Sequence, residues 1–128
     1  MSDLIEFLRA RYDEDERVAR HAVDGPWEDP LGGPIRGGYE MRFVIAQQVQ
    51  RWNSTHIVRH DPQRVLAEVD AKRRILDEFV TSLTGKDKEF DETFGLTDWE
   101  FESTADPLLR LLALPYADHP DYRDDWRP

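Results

Sequence analysis

Cysteine is absent from this chain. That removes disulfides, thiolate nucleophiles and cysteine-ligated zinc together, and it fits a reducing compartment. Long apolar runs are lacking as well. The richest stretch, Leu108 to Leu114, is interrupted by Arg110 and is far too short to span a bilayer. The first residues, Met1-Ser2-Asp3, turn acidic at once, where a secretory leader needs a basic start followed by an apolar run. These absences predict a cytoplasmic protein without membrane contact. Catalytic motifs are missing too. Ser54, Ser82 and Ser103 have no nucleophile-elbow context. No phosphate-cradling Gly-x-x-x-x-Gly-Lys occurs, and Gly32-Gly33 and Gly37-Gly38 bracket a proline-containing loop with no strand-to-helix logic after it. Carboxylates such as Asp13 to Glu16 lie on a helix surface and need no catalytic explanation. The chain therefore reads as non-enzymatic.

What is present is acid. The 128 residues carry a formal net charge of −10, and their number suits a single domain with its own hydrophobic core. The charge is uneven. Residues 75–106 hold ten acidic side chains against two basic ones, whereas residues 47–74 hold six basic against three acidic. The overall field repels phosphate and disfavours non-specific nucleic-acid binding.

Hydrophobic spacing predicts a mainly α fold. It is a small bundle of three to four helices with a minor β-hairpin near residues 27–43. Leu4, Ile5, Leu8, Tyr12, Val18, Ala19 and Ala22 recur at helical steps from Asp3 to His21. Glu16–Arg20 is an acid-before-base pair one turn apart. A Gly/Pro-rich loop follows at 24–38, pinned by Trp27, Leu31 and Ile35, and Tyr39 to Phe43 is one arm of the hairpin. Met41, Val44, Ile45, Gln48, Val49 and Trp52 then favour a second helix, broken at Asn53-Ser54-Thr55 before a short turn from His56 to His60. Asp61-Pro62 is a strong helix start, an acid cap with proline in the first position. The helix it opens, the longest, runs to Thr84 and buries Val65, Leu66, Val69, Ile75, Leu76, Phe79 and Val80. An acidic aromatic insert occupies 84–105. Asp106-Pro107 repeats the start device for a short helix that ends at Pro115, and the tail carries a helical turn started by Pro120.

Two strings are familiar as strings. One runs His56-Ile57-Val58-Arg59-His60-Asp61-Pro62-Gln63-Arg64-Val65-Leu66 and on through Ala71-Lys72-Arg73-Arg74-Ile75-Leu76. The other runs from Leu109 through Leu114-Pro115-Tyr116-Ala117-Asp118-His119-Pro120-Asp121-Tyr122-Arg123 to Trp126-Arg127-Pro128. With the first helix they resemble a family of small acidic proteins of unknown function from actinobacteria and their phages. The resemblance covers roughly half the chain, with the Gly/Pro loop and the acidic insert as this chain's own. It implies a bacterial or phage cytoplasmic protein and no particular chemistry.

Three sets of residues are candidates for function. Trp99, Phe101, Tyr116, Tyr122 and Trp126 sit among acids, and such amphipathic aromatics dominate interface hot spots. A tail folded back over the main helix would use the same rings as core. His56 and His60 stand one helical turn apart. With His21 or His119 they form a candidate site for a divalent metal, set against histidines that merely satisfy turn carbonyls. Arg59, Arg64, Lys72, Arg73 and Arg74 form a basic face that suits nucleic acid. It equally suits a solvated face, because the pairs Arg64–Glu68, Glu68–Lys72 and Asp70–Arg74 neutralise several of its charges. The leading expectation is an interaction or accessory protein with a protein partner and no cofactor. The alternatives are a histidine-based metal protein or metal-dependent enzyme, and a nucleic-acid-linked role. Oligomeric state stays open.

Overall fold

A computed structural model of the chain describes residues 2–30, 33–83 and 98–128, without the side chains of residues 2, 82, 83 and 98–105. Leu31 and most of the acidic insert lie outside the described residues. Among these residues the chain forms α1 (Ser2–His21), β1 (Ile35–Gly37), β2 (Phe43–Ala46), α2 (Arg51–Arg59), α3 (Pro62–Leu83) and α4 (Asp98–Ala113). Short 3-10 turns add Tyr39–Met41, Leu114–Tyr116 and Asp124–Trp126. The fold is mainly α with one two-stranded antiparallel hairpin. No described helix is long and apolar enough to cross a membrane. The chain clusters into two compact units. One holds residues 13–70, the other residues 1–12 with 71–128.

In the unit of residues 13–70, α3 starts as its sequence dictates. Asp61 Oδ1 accepts the Arg64 backbone N–H at 3.0 Å, which satisfies one of the orphan donors of the first turn. The other carboxylate oxygen, Oδ2, accepts the Trp27 backbone N–H at 3.0 Å. A buried carboxylate is costly unless its lone pairs are used, and Asp61, only 6% exposed, uses both oxygens on backbone donors. The loop comes close enough to do this because Gly25, next to the cis Gly25-Pro26 bond, has no side chain. A Cβ there would stand 2.8 Å from Asp61 Oδ2.

The hairpin pairs Arg36 with Val44 and Gly37 with Phe43, with an irregularity between Ile35 and Arg36. Glu28 bridges Arg36 on the other side through reciprocal backbone bonds of 2.8 and 3.2 Å. Its second arm is therefore Phe43–Ala46, later in the chain than Tyr39 to Phe43. The helix expected from Met41 to Trp52 does not form. Met41 and Gln48 have positive φ, 55° and 57°, a conformation no right-handed helix contains. Between them the β-branched Val44 and Ile45 spend their backbone on the strand pair. The helix comes later, and the expected breaker Asn53-Ser54-Thr55 lies inside it. Thr55 Oγ1 turns back to the Arg51 carbonyl at 3.0 Å, and Ser54 is buried. A hydroxyl satisfied as that of Thr55 is does not interrupt a helix.

In the unit of residues 1–12 and 71–128, Leu4, Phe7, Leu8, Tyr12, Leu76, Leu109, Ala113 and Trp126 are buried. Phe7 is the centre of an aromatic group. Its ring centroid lies 5.1 Å from Trp126, 5.8 Å from His119, 5.9 Å from Tyr122 and 6.4 Å from Tyr116. The last three are edge-on, the arrangement that aromatic quadrupoles favour. The tail thus folds back onto α1. Exposed charged groups add to the contact: Arg123 reaches Asp3 on α1 at 3.2 Å and Asp125 within the tail at 2.6 Å, and Arg110 of α4 donates to the Asp125 carbonyl oxygen at 2.5 Å. The Arg123 guanidinium is held above its ordinary pKa, first by its hydrogen bond to Asp125 and then by that carboxylate's charge. The last helix begins at Asp98, not at Asp106-Pro107, and Pro107 lies inside it. Asp106 spends its carboxylate on Arg110 one turn later, at 2.6 Å, and does not cap.

Two stability outcomes follow from these contacts. Asp61→Ala strips two backbone donors of a buried charged acceptor and is expected to cost about 2–4 kcal/mol in urea unfolding. Asp61→Asn, keeping one acceptor, is expected to cost about half of that. Trp126→Ala is expected to cost about 3–5 kcal/mol, the usual loss for a large core aromatic. An unchanged melting temperature would show that the tail is not core.

Candidate functional site

The residues picked out from sequence fall in both units. His56 and His60 do meet, with ring centroids 4.5 Å apart, and both are exposed. His21 Nδ1 pairs with the Arg17 carbonyl at 2.7 Å. His119 stands in the Phe7 group of the other unit, where its Nδ1 accepts the Asp121 N–H at 3.0 Å. Among the described residues no three His, Asp or Glu side chains gather into a metal-binding set. The basic residues divide as well. Arg59 and Arg64 belong to one unit and Lys72, Arg73 and Arg74 to the other. Arg64 is paired with Glu68 at 2.9 Å, and Arg73 and Arg74 have interactions of their own. Tyr116 and Tyr122 are half-buried and Trp126 is buried. Trp99 and Phe101 lie on the first turns of α4, and their side chains are outside the described residues.

A concave feature does exist in the unit of residues 13–70. An open cleft of about 420 Å³ is lined by Glu14, Asp15, Val18, Ala19, Ala22, Trp27, His60, Pro62 and Val65. That volume lies within the range of ligand-binding clefts. Its lining comes from the second half of α1, the Gly25–Trp27 loop and the start of α3. Helical spacing explains the first group. Glu14 and Val18 stand one turn apart on α1, and Ala22, just past its end, continues the row with its N–H bonded to the Val18 carbonyl at 3.2 Å. A carboxylate thus stands at one end of an apolar strip.

Trp27 is the fixed wall. Its indole N–H donates to the Val23 carbonyl at 2.8 Å, and its backbone N–H is held by Asp61. The edge of the ring also covers Gly37 of β1, where a Cβ would fall 2.3 Å from Trp27 Cδ1. Three anchors therefore hold one side chain, and only glycine fits beneath it.

Sequence reasoning missed the residue that opens the cleft. Val18 matched the apolar face of α1 and was expected inside, yet it is 64% exposed, whereas its neighbour Ala19 is 6% exposed. Consecutive helical positions differ by about 100°, so the apolar stripe is wider than the core it covers. The legible signal was that width. Trp52 was likewise expected on a buried face and is 78% exposed, with Arg51 stacked on it at 5.7 Å; Tyr39 is 73% exposed beneath Arg42 at 5.4 Å.

The fold and the cleft define a small helical protein with an open, apolar-lined groove and, among the described residues, no assembled catalytic or metal constellation. The chain belongs to a family of unknown function, described as Family of unknown function (DUF6221), whose model matches residues 1–128. The match takes in the Gly/Pro loop and the acidic insert, so neither is peculiar to this chain. No curated protein and no solved structure matches it.

The Trp27 wall gives a direct check. Gly37→Ala is expected to push the indole off β1 and lower stability by about 1–3 kcal/mol, the cost of overpacking. The Trp27 indole N–H would then lose its protection from hydrogen exchange, which a ¹⁵N-edited NMR spectrum reads.

Proposed function

We propose that this chain is a non-enzymatic interaction protein and that the cleft beside α1 is its contact site. The observation that carries the reading is the exposure of Val18, at 64%, within an apolar-lined cleft. An exposed valine alone needs no explanation, but apolar surface gathered in a concavity behind a rigid wall is what a partner's side chains fill. The exposed Trp52 and Tyr39, each with a stacked arginine, add residue types that interfaces favour. A cytoplasmic setting belongs to the same proposal and is supported by the absence of cysteine.

The test is chemical cross-linking and capture from host lysate, with wild type beside Val18→Arg. Wild type is expected to retain a reproducible protein partner, and Val18→Arg, at an unchanged melting temperature, to lose it. Equal retention by both proteins would move the contact away from the cleft.

A further inference from the structure

We infer that the cleft receives an arginine side chain from a basic, amphipathic segment of the partner protein. The inference rests on the interaction reading above and names the chemistry of what fills the site. Three features lead to it.

The first is the pairing of charge with apolar surface. Glu14 and Asp15 line the cleft beside Val18, Ala22 and Val65. An occupant that matches both needs an apolar stem and a cationic head. Arginine has this form, with a methylene stem that covers apolar surface while the head stays near water. Both carboxylates already make interactions of their own, so the guanidinium joins an existing arrangement. It can do so because it offers five donors in a planar fork, which suits carboxylates better than a compact ammonium does.

The second feature is Trp27. Its Cδ1–Nε1 edge is engaged with Gly37 and the Val23 carbonyl, and Trp27 also lines the cleft. A guanidinium stacks on an indole as well as pairing with carboxylates. Because the ring is already held in place, little ordering cost remains for binding.

The third feature favours a chain segment over a free small molecule. A second hollow, lined by Arg17, Val18, His21 and Ala22, shares Val18 and Ala22 with the first. The two hollows thus adjoin at Val18 and Ala22, the first carrying Glu14 and Asp15 and the second Arg17 and His21. Apolar side chains of a segment would sit on Val18 and Ala22 with its arginine toward Glu14 and Asp15. The net charge of −10 draws a basic segment in from a distance.

The test uses the full chain and fluorescence anisotropy at low and moderate salt. The probes are a labelled twelve-residue peptide with one central arginine among leucines and alanines, its citrulline twin, and unlabelled butylguanidinium as competitor. Citrulline keeps the shape and removes the charge. The arginine peptide is expected to bind at least about tenfold more tightly than its twin, the ratio set by one charge-assisted contact. The difference should shrink with salt and vanish in Glu14→Gln/Asp15→Asn. Val18→Arg, which fills the cleft from within, should weaken both peptides, and it decides the same question should the double variant fail to fold. Twins that bind equally, yet lose binding in Val18→Arg, would overturn the arginine inference and leave the interaction reading standing. Saturable binding of butylguanidinium with neither peptide bound would overturn it in favour of a small-molecule site. No binding by any probe would overturn it outright. Failure of the lysate capture to depend on Val18, with an arginine-selective peptide still bound, would count against the interaction reading and not against the chemistry of the cleft.

Discussion

One buried carboxylate organises the unit of residues 13–70. Asp61 is a helix cap, and sequence alone identifies it as one, but a cap needs only one oxygen. The second oxygen takes the Trp27 N–H from a loop 34 residues earlier. A buried charge with both oxygens bonded to backbone donors tolerates little displacement, because either loss leaves it under-solvated. The start of α3 and the Gly25–Trp27 loop are thereby tied at a single point. Trp27 extends the tie to β1 by lying over Gly37. Helix cap, loop and hairpin form one chain of dependence, and the wall of the cleft is a link in it.

In the unit of residues 1–12 and 71–128 the organising residue is Phe7. Four rings from the last thirteen residues collect around it. Tyr116, His119, Tyr122 and Trp126 have mixed character, and among acids they look equally suited to a partner and to a core. Against Phe7, Trp126 is buried while Tyr116, His119 and Tyr122 are half-buried. An apolar ring on the inner face of α1 offers these aromatics a surface to pack against, and the Tyr122 hydroxyl oxygen is buried with its ring. Arg123 bridges this segment to Asp3, and Arg110 bonds the Asp125 carbonyl oxygen.

The two halves of α1 are used differently. Up to Tyr12 its large apolar residues are buried or half-buried. From Asp13 on the helix is strongly charged, and its apolar ridge is only partly covered: Ala19 is inside and Val18 outside. Periodicity reports which residues share a face, not how much of that face finds a partner within the chain. The same ambiguity hid the exposure of Trp52. Among the candidate site residues chosen by type, His21, His119 and Arg64 have local hydrogen-bond partners. The cleft is built instead from ordinary aliphatic positions and one tryptophan, which carry no chemical signature in a linear reading.

Local rules were enough where the decisive interaction spans a few residues. The first helix, the Asp61-Pro62 start and length of α3 and the Glu16–Arg20 and Arg64–Glu68 pairs were all legible, because capping, proline geometry and one-turn ion pairs act within about four residues. The mainly α class follows from the same short-range information. Contacts distant in sequence decided the rest. Strand pairing overrode helical spacing at Met41–Ala46, a helix continued through Ser54 and Thr55, and Pro107 fell inside a helix it was expected to begin. The second oxygen of Asp61, the gathering of the tail on Phe7 and the opening at Val18 depend on which surfaces meet. That is a property of the packed chain, which spacing along the sequence does not encode.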